Sequence, residues 1–563
     1  MNFIENESAE KLRGGYYTPL DIAAFLTRWV LATKPKALLE PSCGDGAFIR
    51  ALGASGRSLR GIQLTACELD PSETVKARGA ASKIRGLSAE ILNVEFLTWV
   101  LDRLMLPAEF DAVVGNPPFV RYQYLTELLQ QRAEQVIRSF GLRFTRHTNA
   151  WVPFVVASLA RLRPGGRLAM VVPSELLHVL HADSVREFLL AECSRVLVLD
   201  PEEIWFDGTL QGVVLLLAEK HATPNRTGSR RFGSLAIQRT RGRALLERDP
   251  EYFFEHADYV PGKSFPSKWT LALLTASERL VLEGLRARPA VKAFPEVATA
   301  SVGIVTGANK FFLVPDATVA EYDLKRYAHP MFGRSEHVPG VIYDARTHDD
   351  NRKAGYPTNF LLFDADAKLS AGAQRYVRMG ESESLHTRFK CRVRSPWYTV
   401  PSVFTAPVGM LKRCHDHPRL ILNSASAFTT DTAYRVKPNK DVSAEQLVYS
   451  FVNSLTALTA ELEGRHYGGG VLELVPSEIA RLLVPLVPVP DGGLVALDEA
   501  LREGMPPMEL MERQDRRVLS VIGASKSERA DILGAWWSLR SRRQRVEVLA
   551  ERVDADDVDA SVA

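Results

Sequence analysis

A chain of 563 residues, 46% apolar and 24% charged, is long enough for several cores and has the composition of an ordinary globular protein, which excludes disordered, fibrous and disulfide-scaffold classes. Its formal net charge of +3 excludes a globally polybasic chain, so any nucleic-acid contact must rest on a local patch. The five cysteines are scattered without metal spacing and predict reduced thiols, Met1–Asn6 opens no basic-then-apolar leader, and no apolar run approaches a membrane span; a soluble cytoplasmic protein without metal or membrane partner is expected.

In chain order, Gly14-Gly15-Tyr16-Tyr17-Thr18-Pro19 reads as a turn that can close over a bound cofactor, and Thr18-Pro19 as the start of a helix whose apolar positions run from Leu20 to Val30. A strand, Ala37–Glu40, then enters Pro41-Ser42-Cys43-Gly44-Asp45-Gly46, a glycine turn opening a helix, as at the start of a nucleotide-binding α/β unit. The dinucleotide fingerprint is absent, and Glu40 and Asp45 flank the loop where a pyrophosphate wants no carboxylate. That polarity suits a cationic ligand with an ammonium and a sulfonium, as in S-adenosylmethionine. The strand Gln63–Cys67 ends in Glu68, where an acid can take both ribose hydroxyls, and Glu95 with Phe96 can meet an adenine amino group and ring face.

The apolar strand Asp111–Gly115 delivers Asn116-Pro117-Pro118-Phe119. Two prolines remove two amide hydrogens, fix φ and push the preceding residue to extended geometry, so the corner is rigid. It presents two acceptors, the Asn116 side-chain oxygen and the Pro117 carbonyl, beside the Phe119 ring, the partner set an exocyclic amino group on a planar base requires. A plain surface turn is the competing reading. Asn149–Phe154 leads a helix ending at Leu162-Arg163, Pro164-Gly165-Gly166 reads as a turn, and strands follow at Arg167–Pro173, Arg195–Asp200 and Gly212–Leu217.

Residues 220–265 turn polar and basic; His221–Arg231 with Arg239, Arg241 and Arg243 form a candidate phosphate-contacting strip, against the commoner fate of a solvated surface. A helix is expected over Leu271–Leu285. Short strands and turns then alternate to about residue 490, with basic and aromatic residues interleaved through Arg388-Phe389-Lys390, Arg392, Arg394, Trp397-Tyr398 and Lys412-Arg413, a mixture that suits DNA and equally a basic antiparallel surface. The last stretch reads as amphipathic helices bearing Arg540, Arg542, Arg543 and Arg545, either a brace or a DNA-backbone contact, before a frayed acidic tail.

Taken in order, Tyr17-Thr18-Pro19, Leu39-Glu40-Pro41, Gly44-Asp45-Gly46 with Phe48, Glu68-Leu69-Asp70-Pro71, Glu95-Phe96-Leu97 and Asn116-Pro117-Pro118-Phe119 resemble the TaqI-like, gamma-ordered type II DNA N6-adenine methyltransferases over residues 14 to about 215. The resemblance implies a Rossmann-like α/β methyltransferase domain with a mostly parallel sheet (1–265), an α+β target-recognition domain (266–490) and a C-terminal helical segment (491–563). It implies Thr18, Glu40 and Asp45 at the methionine end of S-adenosylmethionine, with Tyr17, Ser42 and Gly44 lining the same site, Glu68 at the ribose, Glu95 and Phe96 at the adenine, and Asn116 facing both ligands. It further implies catalysis by Asn116 and Pro117 on an adenine flipped out of double-stranded DNA and stacked between Phe119 and Phe206, with Trp205 the rival to Phe206. Glu95 stands where the family more often has aspartate, and Phe119 where tyrosine is common. A monomer on DNA, a cognate restriction endonuclease as second partner, and a bacterial, nucleoid-associated location complete the expectation. The competing functions are N4-cytosine transfer, methylation of protein glutamine or ribosomal RNA, and a non-catalytic DNA-binding defence subunit.

Overall fold

The computed structural model describes residues 17–145, 148–206, 212–223, 231–265, 268–467 and 469–544. The chain divides into two compact units between Leu273 and Leu274. Gly14–Tyr16, Pro224–Arg230, Arg545 and the acidic tail, all invoked above, lie outside the described residues.

The first unit opens with α1 (Leu20–Leu31), whose Ile22, Phe25, Leu26, Trp29 and Val30 are fully buried, as their spacing requires. Its strands and helices then follow in order: β1 (Ala37–Glu40), α2 (Ala47–Ala54), β2 (Gln63–Glu68), α3 (Pro71–Ala81), β3 (Ser88–Asn93), α4 (Phe96–Leu101), β4 (Phe110–Gly115), α5 (Glu127–Ser139), α6 (Trp151–Arg161), β5 (Leu162–Pro173), α7 (Asp183–Glu192), β6 (Cys193–Pro201), β7 (Val213–Lys220), β8 (Ser234–Thr240), α8 (Pro250–Glu255) and β9 (Val260–Pro261). They build one sheet in the order β3-β2-β1-β4-β5-β7-β6-β8-β9. Strands β1 to β5 are parallel, and β7 runs antiparallel to both β5 and β6. This is the expected α/β class with a mostly parallel sheet. Helices cover both faces, with Phe25, Trp29, Phe48 and Phe254 in one apolar layer and Phe96, Trp151, Val155 and Leu189 in the other. Central strands therefore have no wet side, and Leu168–Val172 are buried without alternation.

One local expectation changes at β5. Pro164-Gly165-Gly166 is no separate turn: β5 begins at Leu162 and passes through a bulge, with Gly165 at φ +75° and a Cβ on Gly166 meeting the Asp111 carbonyl at 3.0 Å. Among the strip arginines, Arg239 and Arg241 pair with Glu202 at 2.9 and 3.1 Å and Arg243 with Asp21 at 2.7 Å, so these three make surface ion pairs.

In the second unit the helix expected over Leu271–Leu285 begins only at Ala276 (α9, Ala276–Arg286), because Thr275 and Glu278 close a reciprocal capping box; Trp269–Leu273 is a separate 3₁₀ turn of the first unit. A five-stranded sheet follows from β10 (Ala298–Val302), β11 (Ile342–Tyr343), β12 (Val408–Leu411), β13 (Leu420–Asn423) and β14 (Ala433–Pro438), in the order β10-β14-β12-β13-β11, beside smaller sheets and a core around Phe311, Phe312, Phe363 and Tyr376. The C-terminal arginines are interior. On α11 (Lys526–Arg543), Arg540, Arg542 and Arg543 are 6%, 3% and 6% exposed. Arg543 clamps Glu461 of α10 (Ser454–Glu463) at 2.7 Å, and Arg540 binds Asp416. Burial of all three, with Arg543 on Glu461 and Arg540 on Asp416, fits the bracing reading.

Removing one partner strands the other. Arg543→Ala is expected to destabilise the protein by about 3–5 kcal/mol, read as a lowered urea midpoint, whereas replacing both with apolar residues of similar volume recovers most of the loss. An unchanged midpoint for the single variant would contradict the pairing.

Candidate active site

In this sheet the chain order reverses between β1 and β4, adjacent parallel strands whose carboxyl ends open on the same side; such a switch point is where α/β sheets bind ligands. Each strand hands over to a loop there. After β1, Gly44 and Gly46 take φ +50° and +87° to turn the chain into α2, and a Cβ on Gly46 would meet the Ala77 backbone at 3.2 Å. A Cβ on Gly44 meets nothing within 4 Å, so the loop backbone there is open to a ligand. After β4, the Asn116-Pro117-Pro118-Phe119 corner leaves the sheet.

The two loops are tied together. Ser42 Oγ donates to the Asn116 carbonyl at 3.0 Å, and Gly115 is required because a Cβ would meet the Pro41 ring at 3.2 Å. Asn116 Nδ2 donates to Thr18 Oγ1 at 3.1 Å, so the Thr18 hydroxyl orients the amide, while α1 is capped by Pro19 without a side-chain bond. With its nitrogen committed to Thr18, the amide presents Oδ1 as its acceptor. Phe119 is half-buried between both apolar layers.

Carboxylates dominate the cofactor side. Glu40 is fully buried, and both its oxygens lack a hydrogen-bond partner among the described residues. Burial, then the nearby Glu68 and Asp45 charges, hold its pKa well above the ordinary 4.5. The same burial, with Glu40 and Glu68 beside it, pushes the Cys43 thiol up. Glu68 accepts from the Gly44 and Asp70 amides at 2.9 and 2.8 Å, and Asp45 pairs with Arg50 at 2.7 Å. An unsatisfied buried acid amid two others calls for a cation with N–H donors, and the ammonium and sulfonium of S-adenosylmethionine fit that demand.

The remaining predicted residues are placed less openly. Glu95 caps α4, accepting from Leu97 and Thr98 amides at 2.8 and 2.7 Å, and the Phe96 ring is a core side chain, 2% exposed and 5.1 Å from Phe154. Tyr17 is exposed, its hydroxyl donating to Glu73 at 3.2 Å. Phe206 and Trp205 are both buried in the apolar layer beside α1, 4% and 3% exposed, the layer against which Phe119 also packs. The strand pattern made this segment a connection; only packing reveals that both rings are core.

One polar cluster escaped the sequence. Asn149, read there only as a helix start, is 5% exposed beside Ala150, whose amide donates to Val120 of the corner at 2.9 Å. Glu175, just past β5, has its carboxyl pKa raised by burial against the pull of Arg121 and of Asn149. No spacing signal joins these three positions; they meet because β4, β5 and α6 converge.

A switch-point glycine loop on this strand order, with a buried acid awaiting a cation, defines an S-adenosylmethionine-dependent methyltransferase. Residues 76–204 match the Eco57I restriction-modification methylase model, and 266–519 match the C-terminal domain of type II methyltransferase M.Eco57I. Type II methyltransferase M.AccI of Acinetobacter calcoaceticus is 22% identical over 477 residues, covering 83% of this chain and 84% of that protein. M.HincII of Haemophilus influenzae is 26% identical over 212 residues, 37% of this chain and 38% of that one. In fold, the chain is similar to the type IIL restriction-modification enzyme MmeI, solved in complex with DNA, with a TM-score of 0.53 at 12% identity over 90% of this chain and 73% of that one. The chain belongs to the Eco57I-like family of type II restriction-modification methylases. No helix among the described residues is long and apolar enough to cross a membrane.

Glu40 gives a signed test. Its folded pKa lies above the unfolded one, so the folded protein holds the extra proton, and the stability this confers is lost as pH rises from the ordinary 4.5 through the raised value. Glu40→Gln is expected to flatten that fall in the cofactor-free protein and to weaken cofactor binding at least about tenfold, checked by urea melts across pH and by calorimetry. A variant that leaves both unchanged would remove Glu40 from the site.

Proposed function

We propose that the protein is a site-specific DNA methyltransferase acting on N6 of an adenine turned out of duplex DNA. The observation that carries this is the Asn116 side chain, tethered through Nδ2 to Thr18 in a proline-stiffened corner whose backbone is tied to the glycine loop. Relatives named type II methyltransferases along most of the chain, and the likeness of fold to an enzyme solved on DNA, support DNA as the partner.

In this reading S-adenosylmethionine supplies an electrophilic methyl carried on a sulfonium. Glu40 takes the ammonium end, Gly44 and Asp45 line the loop beside it, and Glu68 exchanges its amide bonds for the ribose hydroxyls. Asn116 Oδ1 and the Pro117 carbonyl accept both hydrogens of the exocyclic amine, drawing its nitrogen toward a tetrahedral, nucleophilic geometry. No base is needed beforehand, because the amine nitrogen becomes strongly acidic only after it gains a fourth substituent. Alignment and fixed dipoles supply most of the acceleration. Phe119 stacks on one face of the base, returning part of the few kcal/mol that extrusion requires. Phe206, in the apolar layer that Phe119 also packs against, takes the other face, with Trp205 its rival. Adenine in the cofactor is read through Glu95 and the backbone at the start of α4. A cognate endonuclease and action as a monomer accompany this reading.

Asn116→Ala is expected to lower turnover at least about a hundredfold with cofactor binding intact. Thr18→Val, freeing the amide to rotate, should lower it less, and Thr18→Ser should restore it. Near-normal turnover in Asn116→Ala defeats the assignment. Labelled methyl traced into nucleosides of modified DNA identifies the product: N6-methyl-2′-deoxyadenosine is expected, N4-methyl-2′-deoxycytidine would move the target to cytosine, and cofactor binding without any transfer would leave a non-catalytic DNA-binding subunit.

A further inference from the structure

The second unit carries an exposed aromatic set among cations. Phe389 and Val393 are 64% and 67% exposed, on and just beyond the short helix Phe389–Arg392. Arg388, Lys390 and Arg392 around them are exposed, and none forms an ion pair among the described residues. The Arg392 guanidinium and the Lys390 ammonium lie 5.4 and 5.6 Å from the Phe389 ring centre.

This knuckle is anchored from behind. Cys391, between the exposed positions, is fully buried. Arg394 donates to the Thr306 and Val305 carbonyls, each at 2.7 Å. Gly307 admits the chain so closely that a Cβ there would lie 2.6 Å from Lys390 Cβ. Trp397 packs 4.9 Å from Phe311 and donates to Glu381 at 3.1 Å. An exposed Phe forgoes the stabilisation of burial, and fixing it on a stiff mount gains nothing for the fold itself.

We propose that Arg388–Val393 is a DNA-docking knuckle: Phe389, with Val393 beside it, meets a base face at a disturbed step of the duplex, while Arg388, Lys390 and Arg392 take the flanking phosphates. Charge selects this occupant. A second copy of the chain would bring three cations against three cations. A nucleic acid offers at each step a planar face between two anions, which is the complement of a ring between guanidinium and ammonium groups. The inference rests on the reading of this protein as a DNA methyltransferase and adds where the duplex is gripped, independent of which base is modified.

The test uses the full chain and a fluorescein-labelled, mixed-sequence duplex, titrated by anisotropy at several salt concentrations. Phe389→Ala is expected to weaken binding roughly five- to a hundredfold with the salt slope kept, and Phe389→Trp to restore it. The triple variant R388A/K390A/R392A should reduce the slope of log K against log salt by about 2.5. Urea midpoints followed by circular dichroism should stay unchanged in all three, showing that they are folded, and cofactor affinity should not move. Wild-type affinity in Phe389→Ala, or an unaltered slope in the triple variant, overturns the proposal. So does a loss of binding to polyglutamate or to phosphatidylserine vesicles with duplex binding intact, which would make the knuckle a site for an acidic protein or a membrane. The two readings separate cleanly. If wild type binds duplex through the knuckle yet transfers no methyl group, the enzymatic reading falls and the docking surface stands; if it methylates DNA and the variants bind like wild type, only the knuckle falls.

Discussion

Asn116 is held from two directions at once, its amide by the hydroxyl of Thr18 and its carbonyl by the hydroxyl of Ser42, and the geometry of the first unit turns on that grip. These partners lie 98 and 74 residues away in sequence. They meet because β1 and β4 are parallel neighbours, so that the loops leaving them emerge side by side at the same edge of the sheet. Prolines then remove the slack. A corner with two fixed φ angles cannot drift, and a glycine at 115 lets it seat against Pro41. The glycine loop after β1 and the proline corner after β4 are one mechanical body.

Electrostatics sets what this body can hold. A fully buried carboxyl with no hydrogen-bond partner is costly, more so with two other acids close by. A cationic ligand with N–H donors would satisfy such a group. The tension is local: the protein as a whole is nearly neutral, and the strip arginines near β8 face the acids Glu202 and Asp21.

Arginine shows how little residue type says about use. Arg540, Arg542 and Arg543 look from their spacing like a basic face, yet they point inward, because Glu461 and Asp416 are within reach and the helix is covered. Arg388 and Arg392 have the same chemistry and the opposite fate, flanking an exposed ring without an acid to meet. Counting cations along the chain treats the two sets alike. Only burial and partner geometry divide interior clamps from groups left to the solvent side.

Much of the first unit was legible from residues alone, since its signals are local: helical spacing in α1, apolar strands too short for helices, a positive-φ glycine turn, and a double proline after β4. Charge around Glu40 and Asp45 likewise spoke to the ligand without any coordinates. What the chain could not announce are facts of packing between distant segments. Phe206 and Phe96 are aromatic either way, and whether a ring faces a ligand or a core depends on which layer closes over it. Thr18 reads as a helix start by local rule, but its hydroxyl turns to Asn116. Asn149 and Glu175 carry no shared spacing, and adjacency is created only when β4, β5 and α6 converge. Local backbone preferences and burial patterns are written in consecutive residues; side-chain orientation and partnership are settled by three-dimensional neighbours, and so they belong to the tertiary structure.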